Sequence, residues 1–220
     1  VNQLTNIPHK ISRLFTKNRN ALFIWIPKTA GTTIHDVLGC PLYKTTDHIK
    51  YGFKSVGAVT FGHIDYSTLI KEKYVSKYFD LTSFKFSFVR NPYDRLVSLY
   101  FYYKKIGYIE EKYDFLTFCR SLKHVNIDPI GPYNVKGYNQ LNPQVRWLEN
   151  IKLNFLGRYE NFNQDLKKLL KIFNYPEVEI PILNSSKHEH YLNYYSKETI
   201  HIINYIYKED FQYLGYDIIN

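Results

Sequence analysis

At 220 residues, the chain is predicted to form one domain (residues 1–220), and hydrophobic and charged fractions of 45% and 22% are typical of an ordinary globular protein. Two cysteines exclude a disulfide framework and a cysteine-rich zinc site, and the lack of an apolar run of about 18 residues excludes a transmembrane helix. The formal net charge of +9 favours an anionic partner, whether a nucleotide, an acidic glycan, nucleic acid or a membrane surface.

Residues 1–20 are predicted to form a basic N-terminal arm. Ile7, Ile11 and Leu14 are spaced like one face of a helix, with lysine and arginine residues off that face. Such an arm can contact a membrane or an acceptor. Packing of the arm against the domain is the favoured interpretation.

The first strong pattern is an apolar run over residues 21–26, followed by the sequence PKTAGTT (residues 27–33) and a helix-like pattern. Gly31 permits a tight turn or a positive φ. A strand, a short glycine-containing loop and a helix direct backbone amides at one point, which is typical of a phosphate site. By itself, an ordinary strand–turn–helix is an equally good interpretation.

This loop differs from the common nucleotide-binding loop in the position of its cation. In G-x-x-x-x-G-K-[ST] a lysine directly follows the second glycine, where this chain has Thr32. Lys28 lies inside the loop instead. The pattern is therefore still typical of a phosphate site, but the different position of the lysine argues against a kinase that uses metal-bound ATP.

A second apolar run covers residues 56–61 and ends at Gly62 and His63. It follows a predicted loop at residues 40–54 and precedes a predicted helix at residues 66–78. In a parallel sheet, His63 would lie on the same rim as Lys28. From position alone, a solvated or core histidine is favoured over a functional one.

A third apolar run, at residues 84–89, is followed by Arg90 and by a helix that is predicted to begin at Pro92. Arg90 thus stands at the carboxyl end of a strand, where ligands bind in open parallel sheets. Ser98 lies about two turns into the helix. A guanidinium and a hydroxyl group placed in this way can bind a second, separate phosphate.

Together, PKTAGTT and FVRNPYDRLVSLY (residues 88–100) resemble two motifs of the sulfotransferases that use 3′-phosphoadenosine 5′-phosphosulfate (PAPS): the 5′-phosphosulfate loop and the 3′-phosphate motif. The similarity is to the carbohydrate and heparan-sulfate 2-O-sulfotransferase type and covers nearly all of residues 21–217. It implies an α/β fold, a three-layer P-loop-NTPase-like domain with a central, mostly parallel sheet flanked by helices.

The resemblance also implies how a nucleotide is bound, with PAPS as co-substrate and no metal. Arg90 and Ser98 would bind its 3′-phosphate, and Lys28 would stabilise the leaving phosphate. The loop residues that would bind its 5′ end are Lys28, Thr29, Ala30, Gly31, Thr32 and Thr33.

For His63, the resemblance reverses the interpretation from position alone. In similar glycan O-sulfotransferases a Gly-His pair at this place is implicated as the base, which makes His63 the candidate base and acceptor-binding residue. Some of them carry another histidine two residues earlier, where this chain has Phe61. Of these two histidines, the resemblance therefore assigns only His63 to this chain.

Residues 125–142, rich in Gly, Pro, Asn and Tyr, are predicted to form a lid or acceptor loop. Gln144 and Arg146 loosely resemble a family segment near the acceptor, although a surface helix is an equally good interpretation. The resemblance also places a loop near the nucleotide, although serine-rich turns are usually only turns. Its candidate residues are Ser185, Ser186 and Lys187.

The remaining predicted elements are a helix at residues 114–122, a strand at 154–159, a helix capped by Asn161 and a final helix at 197–207. Ser196 is the expected N-cap of that final helix.

The predicted reaction is transfer of a sulfuryl group from PAPS to a hydroxyl of an acceptor, a carbohydrate rather than a small phenol or steroid. The product is 3′-phosphoadenosine 5′-phosphate (PAP), and no nucleic-acid partner is expected. We expect a cytoplasmic chain as given, or one in the Golgi lumen if an upstream anchor of the kind found in similar animal enzymes has been removed.

Two other functions stay open. A P-loop-type nucleotide or sugar kinase would share the sheet and the loop but would need an acidic Mg²⁺ ligand. A non-catalytic polyanion-binding module would explain the charge, but not two phosphate motifs at strand ends.

Overall fold

The structure, a computed structural model, describes residues 21–38, 51–52, 58–122, 140–176, 178–181 and 189–220. Its strands are β1 (Ala21–Ile24), β2 (Tyr51–Gly52), β3 (Ala58–Thr60), β4 (Phe84–Val89) and β5 (Phe155–Arg158). Its α-helices are α1 (Gly31–Val37), α2 (Tyr66–Lys71), α3 (Lys77–Thr82), α4 (Pro92–Lys105), α5 (Phe115–Ser121), α6 (Phe162–Ile172), α7 (Lys197–Ile206) and α8 (Lys208–Leu214). Short 3₁₀ helices lie at Gln144–Leu148, Tyr159–Asn161 and Tyr191–Tyr194.

The described strands form one sheet in the order β2-β3-β1-β4-β5. β3, β1, β4 and β5 are parallel, and β2 pairs antiparallel with β3 at the edge. In register, Ile24 of β1 lies beside Ser87 of β4, and Val89 of β4 lies beside Arg158 of β5. The carboxyl ends of these strands therefore meet at one edge of the sheet, as the motif positions predicted.

The sheet is covered on both faces, so every residue of its central strands β1 and β4 is buried, including Lys85 and Ser87 of β4. Successive side chains of a strand point to opposite faces. In β1, Ala21 and Phe23 pack with α1 and α6, whereas Leu22 and Ile24 pack with α2 and α8. A further core joins α4, α5 and α7. The predicted three-layer α/β fold with a mostly parallel sheet is confirmed.

Three predicted elements differ from the structure. The helix predicted at residues 66–78 is two helices, because Lys73 adopts a left-handed conformation (φ 57°) and Ser76 caps α3 by accepting from Phe79 N (3.1 Å). The predicted loop at residues 40–54 contains the edge strand β2. The helix predicted to be last is followed by α8 after Tyr207. None of the described helices is both long and apolar enough to cross a bilayer.

The N-cap predictions have different outcomes. Ser196 caps α7 and forms a reciprocal capping box with Thr199. Asn161 stands at the N-cap position of α6, but its side chain makes no capping hydrogen bond. The arm at residues 1–20 and residues 125–139 of the predicted lid lie outside the described residues.

Candidate functional site

The loop between β1 and α1 turns through two residues in the left-handed conformation, Lys28 (φ 67°) and Ala30 (φ 64°). The Thr29 hydroxyl donates a hydrogen bond to the Ile26 carbonyl oxygen (2.9 Å), and this bond stabilises the turn. Residues other than glycine adopt this conformation rarely, and strained backbone of this kind is concentrated at functional sites. The loop geometry therefore agrees with a ligand-binding role.

Gly31 is the first residue of α1. A glycine is needed here because Trp25 lies too close to leave room for a side chain, and not because the backbone has a positive φ. A Cβ atom on Gly31 would lie 1.8 Å from Trp25 Nε1 and 2.3 Å from its Cδ1. The indole ring also lies between two imidazoles, with ring centroids 4.3 Å from His35 and 4.4 Å from His63. Because Gly31 has no side chain, the Trp25 indole can lie against the start of α1 and also contact His63.

Gly31→Ala is expected to lower the free energy of unfolding by about 1–3 kcal/mol, because the added methyl group overpacks the space that Trp25 fills. Urea denaturation measures the change. In a Trp25→Leu background the same substitution should cost much less, since the clashing indole is gone, and a double-mutant cycle gives the coupling. If Gly31→Ala lowered the free energy of unfolding equally in the wild-type and Trp25→Leu backgrounds, the close contact between Gly31 and Trp25 would be contradicted.

Lys28 is partly buried, and its Nζ lies 4.5 Å from the centre of the Tyr102 ring on α4. Burial lowers the pKa of Lys28 to about 8, and the positive charges of Arg90 and Lys105 act in the same direction. The ammonium is therefore charged at neutral pH but loses its proton more readily than that of an exposed lysine. This concentration of positive charge favours an anionic ligand.

Arg90 directly follows β4, and three neighbours hold its guanidinium. Nε and Nη2 donate to the two carboxylate oxygens of Asp94 (2.7 and 2.9 Å), one helical turn away. Nη1 donates to the Lys28 carbonyl oxygen (3.2 Å), and the guanidinium carbon lies 3.8 Å from the centre of the Tyr159 ring. The structure thus brings Arg90 and Lys28, from two separate motifs, into direct contact.

One side of α4 lies along both cations. Asp94, Ser98 and Tyr102 are spaced by four residues and so share a side of the helix. Asp94 contacts Arg90, Tyr102 contacts Lys28, and Ser98 lies between them in the helix. Ser98 is 2% exposed and Arg90 6% exposed, so little of either residue is accessible to solvent.

His63 lies beyond β3, with its Nδ1 2.9 Å from the Trp25 carbonyl oxygen. A carbonyl oxygen only accepts, so this contact places the proton on Nδ1 and the lone pair on Nε2. Trp147 Nε1 donates to the His63 carbonyl oxygen (3.0 Å). Burial lowers the pKa of His63 to about 4; the Trp25 hydrogen bond opposes this, and the charges of Arg95 and Lys28 add to it. The imidazole is therefore neutral at neutral pH, the state that a general base requires.

Gln144 is completely buried and joins Arg90 to α8. Its Oε1 accepts from Arg90 N (2.9 Å), and its Nε2 donates to the Arg90 carbonyl oxygen (2.7 Å) and to Asp210 (3.2 Å). Asp210 also accepts from the backbone amides of Gln144 and Val145, at 2.9 Å each. The Gln144 side chain is thus engaged with the backbone that carries Arg90.

The structure describes three more of the candidates from the sequence. Arg146 is partly exposed and pairs with Glu149 and with Glu209 (3.1 Å). Thr32 and Thr33 lie in the first turn of α1. Ser185, Ser186 and Lys187 lie outside the described residues.

Arg95 is a buried cation that sequence reasoning did not single out. It is 1% exposed, and its guanidinium donates to three backbone carbonyl oxygens: Pro27 (3.1 Å), Asn142 (3.1 Å) and Gln140. It also lies 5.6 Å from the centre of the Trp147 ring. Arg95 therefore ties the phosphate loop to the segment that carries Gln144 and Trp147.

Sequence patterns could have indicated part of this arrangement. Asp94 and Tyr102 share the four-residue spacing of Ser98, so the helical period alone relates them to that candidate. Arg95 gives no comparable signal, because its hydrogen-bond partners are backbone carbonyls and every residue has one. Among the described residues, no group of three or more His, Cys, Asp or Glu side chains is arranged to hold a metal ion.

Comparison with known proteins identifies the family. The model of the sulfotransferase family matches residues 13–217, a span that includes both motifs and His63. A protein of Archaeoglobus fulgidus, described as an uncharacterized protein, is 30% identical over 106 residues, which cover 48% of this chain and 80% of that protein. With two strand-end motifs in contact on a mostly parallel sheet and a family match along almost its whole length, this chain belongs to the sulfotransferase family.

Proposed function

We propose that the chain is a PAPS-dependent O-sulfotransferase whose acceptor is a hydroxyl group, with a carbohydrate favoured. The observation that carries the proposal is the hydrogen bond from Arg90 Nη1 to the Lys28 carbonyl oxygen (3.2 Å). PAPS has phosphate groups at both its 3′ and 5′ ends, so one pocket must contain two anion-binding groups. The contact between the two motifs meets this requirement.

The proposed 5′ side is strongly cationic. Lys28 stands in the loop before α1, and Arg90 and Lys105 are near enough to lower the pKa of Lys28. Such a group suits a phosphosulfate better than a neutral ligand, because an anion would relieve the repulsion among these cations.

The proposed 3′ side consists of Arg90 and Ser98. Asp94 and Tyr159 hold the Arg90 guanidinium in place before a ligand arrives, which lowers the entropy lost on binding. Little of either residue is exposed, so binding of the 3′-phosphate here would need neighbouring side chains to move. We expect PAP binding to be accompanied by this local rearrangement.

When bound, PAPS supplies the sulfuryl group: the S–O bond to its 5′-phosphate breaks as an S–O bond to the acceptor oxygen forms. Lys28, together with backbone amides of the loop, would stabilise the negative charge that builds on the leaving phosphate. His63 Nε2 takes the proton of the acceptor hydroxyl. A bound anionic co-substrate would raise the pKa of His63 from its low value and so increase its basicity.

Gln144 receives a different role from the one that its sequence position indicated. Because it is buried and bonds to both backbone groups of Arg90, we propose that it positions Arg90 and does not touch the acceptor. Arg146 stays a candidate for the acceptor side, since its side chain is partly exposed.

Calorimetry with PAP tests the nucleotide assignment. Wild-type protein should bind PAP, and Arg90→Ala should raise the dissociation constant roughly 10- to 100-fold, the effect of losing a hydrogen bond to a charged group. Arg158→Ala is a matched control, because Arg158 ends the neighbouring strand but its guanidinium lies 4.6 Å from the centre of the Tyr216 ring. This control should keep PAP affinity. No PAP binding by the wild type would overturn the proposal.

Transfer of labelled sulfate from PAPS to a panel of carbohydrate and non-carbohydrate alcohols tests the reaction. Transfer that EDTA does not affect is the expected result. Transfer of labelled phosphate from ATP that EDTA abolishes, without PAP binding, would support the kinase alternative instead.

A further inference from the structure

The Lys28 ammonium lies against the face of an aromatic ring on a rigid helix. Its Nζ is 4.5 Å from the centre of the Tyr102 ring, within the range of a cation–π interaction. We propose that Tyr102 is a positioning residue, whose ring face keeps the Lys28 ammonium charged and directed along α4. The role of this ammonium in catalysis rests on the proposed function, but the contact itself does not.

The charges around Lys28 explain why such a partner is needed. Arg90, at the end of β4, and Lys105, in the last turn of α4, both repel a proton on Lys28, and burial disfavours the charged form further. His63, beyond β3, is lowered in pKa by Lys28 and adds no negative charge. A π face attracts an ammonium without neutralising it, so Lys28 keeps its positive charge, whereas the nearby Arg90 guanidinium is already paired with the Asp94 carboxylate.

The position of Tyr102 in α4 suits its ring to holding the Lys28 ammonium in place. Tyr102 is two helical turns beyond Asp94, which holds Arg90, so one helix side fixes the position of both cations. Its backbone carbonyl accepts from Ile106 N (3.1 Å), and its neighbour Tyr103 is buried in the core of α4, α5 and α7. A side chain on such an anchored helix holds its partner more precisely than one on a loop.

The Tyr102 ring gives Lys28 a π face and also shields it from water with an apolar surface. Two substitutions separate these two effects. Tyr102→Phe keeps both, whereas Tyr102→Leu keeps an apolar side chain but removes the π face. Competitive acetylation of the lysines over a range of pH, read by mass spectrometry of the Lys28 peptide, gives the pKa of Lys28 without any need for activity. Tyr102→Met is the second variant if Tyr102→Leu does not fold.

In Tyr102→Leu the pKa of Lys28 should fall by roughly half a unit to one unit, the usual size of a partly buried cation–π interaction, and Tyr102→Phe should leave it unchanged. PAP affinity should then be about threefold weaker near pH 8 and almost unchanged near neutral pH, where the ammonium stays charged. An unchanged or higher pKa in Tyr102→Leu would overturn the proposal, since the ring would then only bury the lysine. Failure of the wild type to bind PAP would overturn the proposed function, while the acetylation result would still decide the role of Tyr102.

Discussion

Lys28→Ala is expected to lower kcat for sulfuryl transfer by about 10²- to 10³-fold, the usual effect of removing one preorganised group that stabilises developing negative charge. The leaving phosphate gains charge in the transition state, and Lys28 is the ammonium inside the loop that would meet it. Alanine, like lysine, is a non-glycine residue, so the substitution leaves the strain of the left-handed position (φ 67°) in place. Initial rates with saturating PAPS measure the loss.

The pH dependence of this effect gives a sharper test. The pKa of Lys28 is lowered to about 8, and in the proposed mechanism its active form is the protonated one, so kcat/KM for PAPS should fall as pH rises through about 8. Lys105→Ala removes a neighbouring positive charge, which should move this alkaline limb to higher pH without a comparable loss of kcat. A Lys28→Ala enzyme with wild-type kcat, or one that keeps the same alkaline limb, would contradict the role of Lys28.

His63→Asn is expected to keep PAP affinity and to lower kcat by roughly 10²- to 10⁴-fold, the range for loss of a general base. Asparagine can still donate a hydrogen bond to the Trp25 carbonyl oxygen, as Nδ1 of His63 does, but it has no basic nitrogen. The substitution therefore separates proton transfer from packing. His201→Asn, at an exposed position of α7, is the matched control and should behave like the wild type.

The pH profile again discriminates a base from a structural histidine. As the proposed base, His63 would act only when neutral, and its pKa is lowered to about 4, so kcat/KM for PAPS should stay high well below the usual histidine range. The acid limb of kcat should lie at higher pH than that of kcat/KM, because bound PAPS adds negative charge near the imidazole. Full turnover in His63→Asn would remove His63 as the base.

The parts of this protein that sequence patterns predicted are those with local causes. The strand Phe84–Val89 was predicted with its observed bounds, because its phenylalanines and Val89 give it the apolar character of a strand that is covered on both faces, although Lys85 and Ser87 are buried in it as well. Arg90 at its end and Pro92 at the start of α4 followed from the same run and from the N-terminal preference of proline.

The predictions that were wrong or incomplete concern features without a local cause. The break at Lys73 splits the predicted helix, although lysine has no intrinsic preference for a left-handed conformation. Gly31 was expected to serve a tight or positive-φ turn, and its actual requirement is the Trp25 indole, whose position depends on His35 and His63 as well. Gln144 was related to the acceptor only by a loose resemblance, with a surface helix equally favoured, and no local pattern could indicate its hydrogen bonds to the backbone of Arg90, 54 residues away.

The sequence by itself determined the strands, the phosphate loop and the arginine motif, because apolar runs, glycine, proline and the helical period act over a few residues. Only the tertiary structure decided that Arg90 and Lys28, 62 residues apart, touch each other, and that Arg95 ties the loop to the segment before Gln144. It also decided the charge states, a Lys28 pKa near 8 and a neutral His63, because a pKa depends on burial and on charges that distant parts of the chain bring together.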